Sequence, residues 1–243
     1  MITLFRSIRQ RLLAENRLGK YLIYAFGEIL IILIGVLLAV QINNWNQRRI
    51  SEKKIVGFLK EIKRNLVNEI ETSESVIEFY NKRDSLLRLV LTNKITRQDF
   101  ECNEYNCPQV AIMTWDYLDI NRNAYNNLIL VSGEIPSRYE SLYENLNTLY
   151  DVDGAYLKER KDKLYSKMLD HFNYLRDNKE WYSDVIVSGK LNDDAIDYFM
   201  NNPFYKNHVF EYYEDAIKLQ HATRKYKEQA ELILKKLIEI EEK

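Results

Sequence analysis

LIYAFGEILIILIGVLLAV, residues 22–40, decides the architecture of this chain. Glu28 is the only charge in the run. A helix of that length, rising about 1.5 Å per residue, reaches about 28 Å, close to the hydrocarbon thickness of a bilayer. Backbone groups in lipid must pair within the segment, so a lone span has to be helical. A cleaved signal peptide is the competing reading. Its apolar region usually holds about 7–15 residues and ends at small residues of A-x-A type. The run here is longer and Ala39-Val40-Gln41 is a poor cleavage site, so the segment reads as an uncleaved anchor.

Working outward, the chain divides into residues 1–20, a basic amphipathic segment expected in the cytoplasm, residues 21–42, the membrane span, and residues 43–243, a soluble domain. In the first segment Phe5, Ile8 and Leu12 share a helical stripe, with Arg6, Arg9, Arg11, Arg17 and Lys20 around it. That pattern fits a helix lying against anionic headgroups, and equally a charged leader that sets orientation. Beyond the span, Trp45 within Asn43-Asn44-Trp45-Asn46 is placed to anchor at the lipid–water boundary. No linker rich in Gly, Ser or Pro follows, so the span is expected to run on into the next helix.

Orientation is not decided by charge. Five Lys/Arg precede the span and five (Arg48, Arg49, Lys53, Lys54 and Lys60) follow it closely. A short basic leader normally stays in the cytoplasm, whereas long domains translocate largely regardless of charge. The cysteines point the same way. Cys102 and Cys107 are the chain's two cysteines, bracketing Asn-Glu-Tyr-Asn. A close pair with no other partner reads as a disulfide in an oxidising compartment, in a bacterium the periplasm. Free thiols and half of a zinc site are the alternatives, but no second Cys or His pair has ligand spacing. The expected localisation is the bacterial inner membrane, crossed once.

Glycine and proline are scarce, seven and three in 243 residues, and period-two alternation is nowhere sustained. The fold class is therefore all-α: one N-terminal transmembrane helix followed by an elongated antiparallel helical bundle. The first bundle helix is expected over about 51–92, with Ile55, Leu59, Ile62, Leu66, Ile70, Ile77, Tyr80, Leu87 and Leu91 as its stripe. Short helices are expected over 109–118 and 122–131, the second capped by Ser132-Gly133. A third long helix spans 137–182, with Gly154 marking a bend or break. A short helix over 193–200 starts at the N-cap Asn192. Asn202-Pro203 opens the last helix, whose stripe of Phe210, Tyr213 and Ile217 shifts phase near residues 218–225.

Outside the span region the soluble part carries 30 basic and 34 acidic side chains. That balance lacks the positive field nucleic-acid binding needs, so no nucleic-acid partner is expected. His171, His208 and His221 are scattered and read as solvated helix-surface residues. The 18 tyrosines suit the border of a thin core, or a ligand cleft. No nucleophile–base grouping, phosphate loop or zincin pattern occurs, so no catalytic residue, cofactor or metal is expected.

Glu28 is the sharpest candidate, because an ionisable group inside a span is a functional hypothesis by default. Gly35 and Ala39 lie about 20° to either side of it on the helical wheel. Glu28, Gly35 and Ala39 therefore form a candidate association seam toward a second copy or another membrane protein. The simpler reading has the Glu28 carboxyl snorkel toward Lys20.

FRSIRQRLLAENRLGKYLIYAFGEI, IGVLLAVQINNWNQ and the later AYNNLILVSGEI resemble a family, of unknown function, of small single-pass membrane proteins common in flavobacteria and related bacteria. Glu28, Gln41, Asn43, Asn44, Trp45 and Ser132-Gly133 fall in the matching stretches, while Ile129-Leu130-Val131 is more apolar than the family pattern. The resemblance implies a membrane location and names no reaction. The expected role is a non-enzymatic scaffold, adaptor or sensor-like module whose partners are membrane lipid and itself or another membrane protein. The alternatives are an accessory subunit of a transporter or envelope complex, and a periplasmic small-ligand-binding bundle.

Overall fold

The computed structural model describes residues 18–102 and 107–241. The expected stripe of Phe5, Ile8 and Leu12 lies outside the described residues, as does the turn over 103–106. The fold is all-α, with no strand among the described residues. The chain forms two compact units, one ending at Ile55 and one beginning at Val56.

The first unit is carried by α1, a helix assigned without interruption over Leu18–Leu91. Its start lies well before Ser51, as the missing linker suggested. From Ile29 to Val40 the apolar run is exposed, with Ile29, Ile31 and Ile32 at 64, 63 and 61 %. By length and composition this helix is long and apolar enough to cross a membrane.

The second unit packs the part of α1 from Val56 onward with α4 (Gly154–Asn178) and α7 (Pro203–Glu241). On α1 and α7, Tyr213 donates to Asp84 at 2.9 Å, Gln220 to Asn81 at 2.8 Å, and Lys227 pairs with Glu74 at 3.0 Å. Numbers rise on one helix as they fall on the other, so the two are antiparallel. Lys167 against Glu211 and Lys225 against Asp153, at 2.8 and 2.7 Å, set α4 antiparallel to α7 in the same way. At 39 residues, α7 runs about 58 Å, so the bundle is elongated.

Buried positions on α7 step by four and three without a fault: Tyr205, Val209, Tyr212, Ala216, Leu219, Thr223, Tyr226, Ala230, Ile233 and Leu237. The phase shift expected near residue 218 is absent. Phe210 and Ile217 are exposed; the true stripe runs through Ala216 and Thr223, small residues that a search for bulky apolar side chains passes over. On α1 the same stepping places Glu69, Ser73 and Arg83 in the core between Leu66 and Leu87.

Residues 108–121 explain those polar core residues. A helix was expected over 109–118, but only Pro108–Val110 makes a 3-10 turn; residues 111–113 turn once more and residues 114–122 carry no regular structure. This strap packs along the three long helices. Arg83 binds its Ala111 carbonyl, Tyr212 its Thr114 carbonyl, Tyr165 stacks on its Trp115, and Tyr80 binds its Asp116 carbonyl. An irregular strap in a core joins no helix or ladder, so side chains take the backbone hydrogen bonds that its own turns leave over.

The remaining connections are short. The helix α2 covers Asn123–Leu130. Ser132-Gly133 does not cap it; these residues form a 3-10 turn, Ser132–Glu134, and Gly133 is not left-handed. The expected helix over 137–182 is divided. A 3-10 turn precedes α3 (Glu140–Asn147), a π-helical turn covers Thr148–Asp153, and α4 ends at Asn178. The widened turn brings Leu149, Tyr150, Asp153 and Gly154 all into the core. After it come α5 (Tyr182–Ser188), stopped by left-handed Gly189, and α6 (Asp193–Asn201). Asn192 caps α6 as expected, its side chain accepting from the Ala195 amide, and Pro203 opens α7 at its first position.

Candidate functional site

Three places carry chemistry. In the first unit, Glu28 is partly exposed, Gly35 and Ala39 are exposed, and all three lie on α1 at the spacing that shares a face. A Cβ added at Gly35 would meet nothing within 4 Å. Trp45 is 64 % exposed, with the Arg49 guanidinium 5.5 Å from its ring centroid.

The second place is the strap. Arg83 reaches it from a core position, donating to the Ala111 carbonyl at 2.7 Å and more loosely to those of Val110 and Thr114. Tyr80 donates to Asp116 at 2.7 Å, Tyr212 to Thr114 at 2.7 Å, and Tyr205 to the Pro108 carbonyl. At the far end Glu69 accepts from the Asn121 amide at 3.0 Å and from the Tyr226 hydroxyl at 2.8 Å. Burial pushes the Glu69 carboxyl above its ordinary range, against the pull of those two hydrogen bonds. Burial likewise lowers the Arg83 pKa. Cys102 and Cys107 are joined as a disulfide just ahead of the strap, with Cα atoms 5.9 Å apart, and Cys107 is buried.

The third place is an aromatic cluster where α4, α6 and α7 meet. His171, expected on the surface, is fully buried. Its ring lies 5.1 Å from that of His208 and 5.6 Å from that of Tyr205, and neither ring nitrogen has a partner. Burial, with His208 alongside, drives its pKa down to about 3, so the ring is neutral at physiological pH. Tyr198 packs against His171, Trp181 and Phe199, and its hydroxyl is also buried without a partner. Beside this cluster lies an open cleft of about 490 Å³ rimmed by Asp184, Asp194 and Asp197.

The sequence reading brought out the span residues and the cysteines but missed Glu69, Arg83 and His171. All three had a legible signal. Glu69 and Arg83 continue the four-and-three stepping from Leu59, and a charge at such a position announces a buried polar partner. His171 stands four residues before Leu175 and three after Met168, both buried, so the same test would have found it.

No curated protein and no solved structure matches this chain. Residues 28–174, more than half of the chain, match the model described as a family of unknown function (DUF6090).

Proposed function

We propose that this chain, which belongs to the family of unknown function DUF6090, is a single-pass inner-membrane protein that displays a helical bundle in the periplasm and works by binding. The apolar run over residues 22–40, exposed from Ile29 to Val40, is the observation that carries the reading. Lipid is the solvent that face fits. The joined Cys102 and Cys107 support an oxidising compartment for the bundle. Glu28, Gly35 and Ala39 form the seam through which the span meets a second copy or another membrane protein.

A role as scaffold, adaptor or sensor rather than catalyst is supported by where the buried polar groups go. Glu69, Arg83, Tyr80, Tyr205 and Tyr212 are engaged by strap backbone, which fits a structural commitment better than a reactive one. Fusing alkaline phosphatase to Lys243 gives an active reporter on this account, and a fluorescent protein that folds only in the cytoplasm stays dark there. The reverse pattern places the bundle in the cytoplasm and overturns the topology. Mild-detergent pull-down that returns a stoichiometric multi-span partner assigns the chain as an accessory subunit. A second reading, a small-ligand-binding bundle, is favoured by the acidic cleft beside Tyr198.

A further inference from the structure

Residues 179–202 stand apart from the long helices. They begin at extended Lys179, where α4 ends, and turn at left-handed Gly189 between α5 and α6. They end at extended Asn202, just before Pro203 opens α7. The stretch buries little. Trp181, Ala195, Tyr198 and Phe199 are buried, no residue of α5 is, and Ile186 and Val187 are 55 and 88 % exposed. The Arg97–Asp193 ion pair, which ties α6 to the 3-10 turn Arg97–Phe100, is exposed on both sides and holds little. A segment with so few buried side chains opens at lower cost than the fold as a whole.

His171 lies under this segment. Its ring is within 17° of parallel to that of Tyr198, 6.3 Å away, and meets the rings of Tyr205 and His208 on α7. It is fully buried, with neither nitrogen hydrogen-bonded. A neutral imidazole is tolerated there. An imidazolium would be a buried charge with two donors and no acceptor. Of the groups around it, Tyr198 on α6 and Tyr205 on α7 are neutral, and His208 repels it once both are charged. Lys167 and Asp170 on α4 and Glu211 on α7 act on His208. Lys179, 4.4 Å from the Tyr198 ring centroid, adds a further positive charge. Charging His171 therefore needs water at the ring, and α6 is the weakly held wall.

We propose that residues 179–202 are an acid-released lid: protonation of His171 lifts α5 and α6 from α4 and α7 while the long helices stay packed. With the lid closed the ring binds a proton only near pH 3, whereas an imidazole in water binds it near 6.5. Opening is therefore favoured by about tenfold for each pH unit below 6.5. The lid needs only the bundle, so its test is separate from that of the membrane reading.

Hydrogen exchange of the full chain in maltoside micelles, read by mass spectrometry at pH 7.5 and 5.0 and corrected for intrinsic exchange, tests this. The amides of Ile196 to Asn202, bonded within α6, should be less protected at pH 7.5 than those of buried positions in α1 and α7. Between pH 7.5 and 5.0 they should lose protection roughly thirtyfold. His171→Leu removes the proton site and should flatten that change. His208→Gln leaves His171 in place and should keep most of it, which covers the case in which His171→Leu fails to fold. Protection of α6 that does not change with pH overturns the lid. Protection of α6 equal to that of α1 and α7 at both pH values means that His171 meets water only by global unfolding, and overturns it too. A thirtyfold change that survives His171→Leu, or one that His208→Gln abolishes, assigns the proton elsewhere and overturns the role of His171.

Discussion

The Arg83 guanidinium, seated at a core position of α1, donates to the Ala111 carbonyl at 2.7 Å. That contact joins a helix to an irregular strap that satisfies only part of its backbone through its own turns. Arg83→Leu fits the four-and-three stripe better by hydropathy and takes the Arg83 donor from the Ala111 carbonyl, while the Val110 and Thr114 carbonyls keep the Met113 amide and the Tyr212 hydroxyl. It is expected to cost about 2–4 kcal/mol, the scale for buried acceptors left unpaired. Urea unfolding of the detergent-solubilised chain measures it. A loss below about 0.5 kcal/mol would mean that the strap does not depend on Arg83.

Two glycines are expected to respond in opposite senses. A Cβ at Gly154 would lie 3.2 Å from Ile120 Cδ1 and 3.3 Å from the Leu149 carbonyl oxygen. The Leu149 oxygen is backbone of the π turn and gives way little, whereas the Ile120 methyl is the tip of a half-buried side chain. Gly154→Ala should destabilise by about 1–3 kcal/mol. Gly57 lies inside α1 with nothing within 4 Å of the added carbon, so Gly57→Ala should stabilise by about 0.5–1 kcal/mol. Thermal midpoints moving in the same direction would contradict the close approach at Gly154.

Buried His171 makes the fold sensitive to acid. In the unfolded chain its imidazole protonates below the ordinary value of 6.5, whereas the buried ring stays neutral down to about 3. Between those values the unfolded chain binds more protons, so stability is full above 6.5 and is lost as pH falls. By pH 5 this group removes about 2 kcal/mol. His171→Leu deletes two unpartnered nitrogens and should hold stability at pH 7.5 within about 1 kcal/mol. Its unfolding free energy should fall less steeply toward pH 5 than that of the parent chain. Parallel pH profiles would show that His171 is not a source of the slope.

Closing the short loop between Cys102 and Cys107 restricts the unfolded chain by about 2 kcal/mol on the loop-entropy scale. Cys102→Ser with Cys107→Ser should lower stability by up to that amount. Maleimide labelling of the denatured parent chain should occur only after a dithiol is added. Labelling without reductant would show free thiols, and the compartment argument would lose that support.

The helices were largely legible because their signals are local. Asn192 as a cap, Pro203 as an opener and the apolar spacing through Leu59, Ile62 and Leu66 each act within a turn or two. The strap was not. Its residues 109–118 contain Val110, Ala111, Ile112 and Leu118, a composition that suits a short buried helix equally well. What holds the strap in place is Arg83, Tyr80, Tyr205 and Tyr212, brought in from 25 or more residues away. The phase of α7 was misread for a related reason: Ala216 and Thr223 pack in the core because of what faces them, not because they are large. Of the candidate sites, Glu28, Gly35, Ala39 and the cysteines could be picked out by residue type. The Tyr198 cleft emerges only once α4, α6 and α7 are brought together.

Everything functional in this account requires the segment from Leu22 to Val40 to reside in lipid as a retained anchor. Alkaline carbonate extraction of membranes from cells expressing the full chain, followed by intact mass of the recovered protein, tests that directly. The account predicts that the chain stays with the membrane pellet and that its mass includes residues 22–40. Release into the supernatant, or a mature chain beginning after Val40, would contradict it.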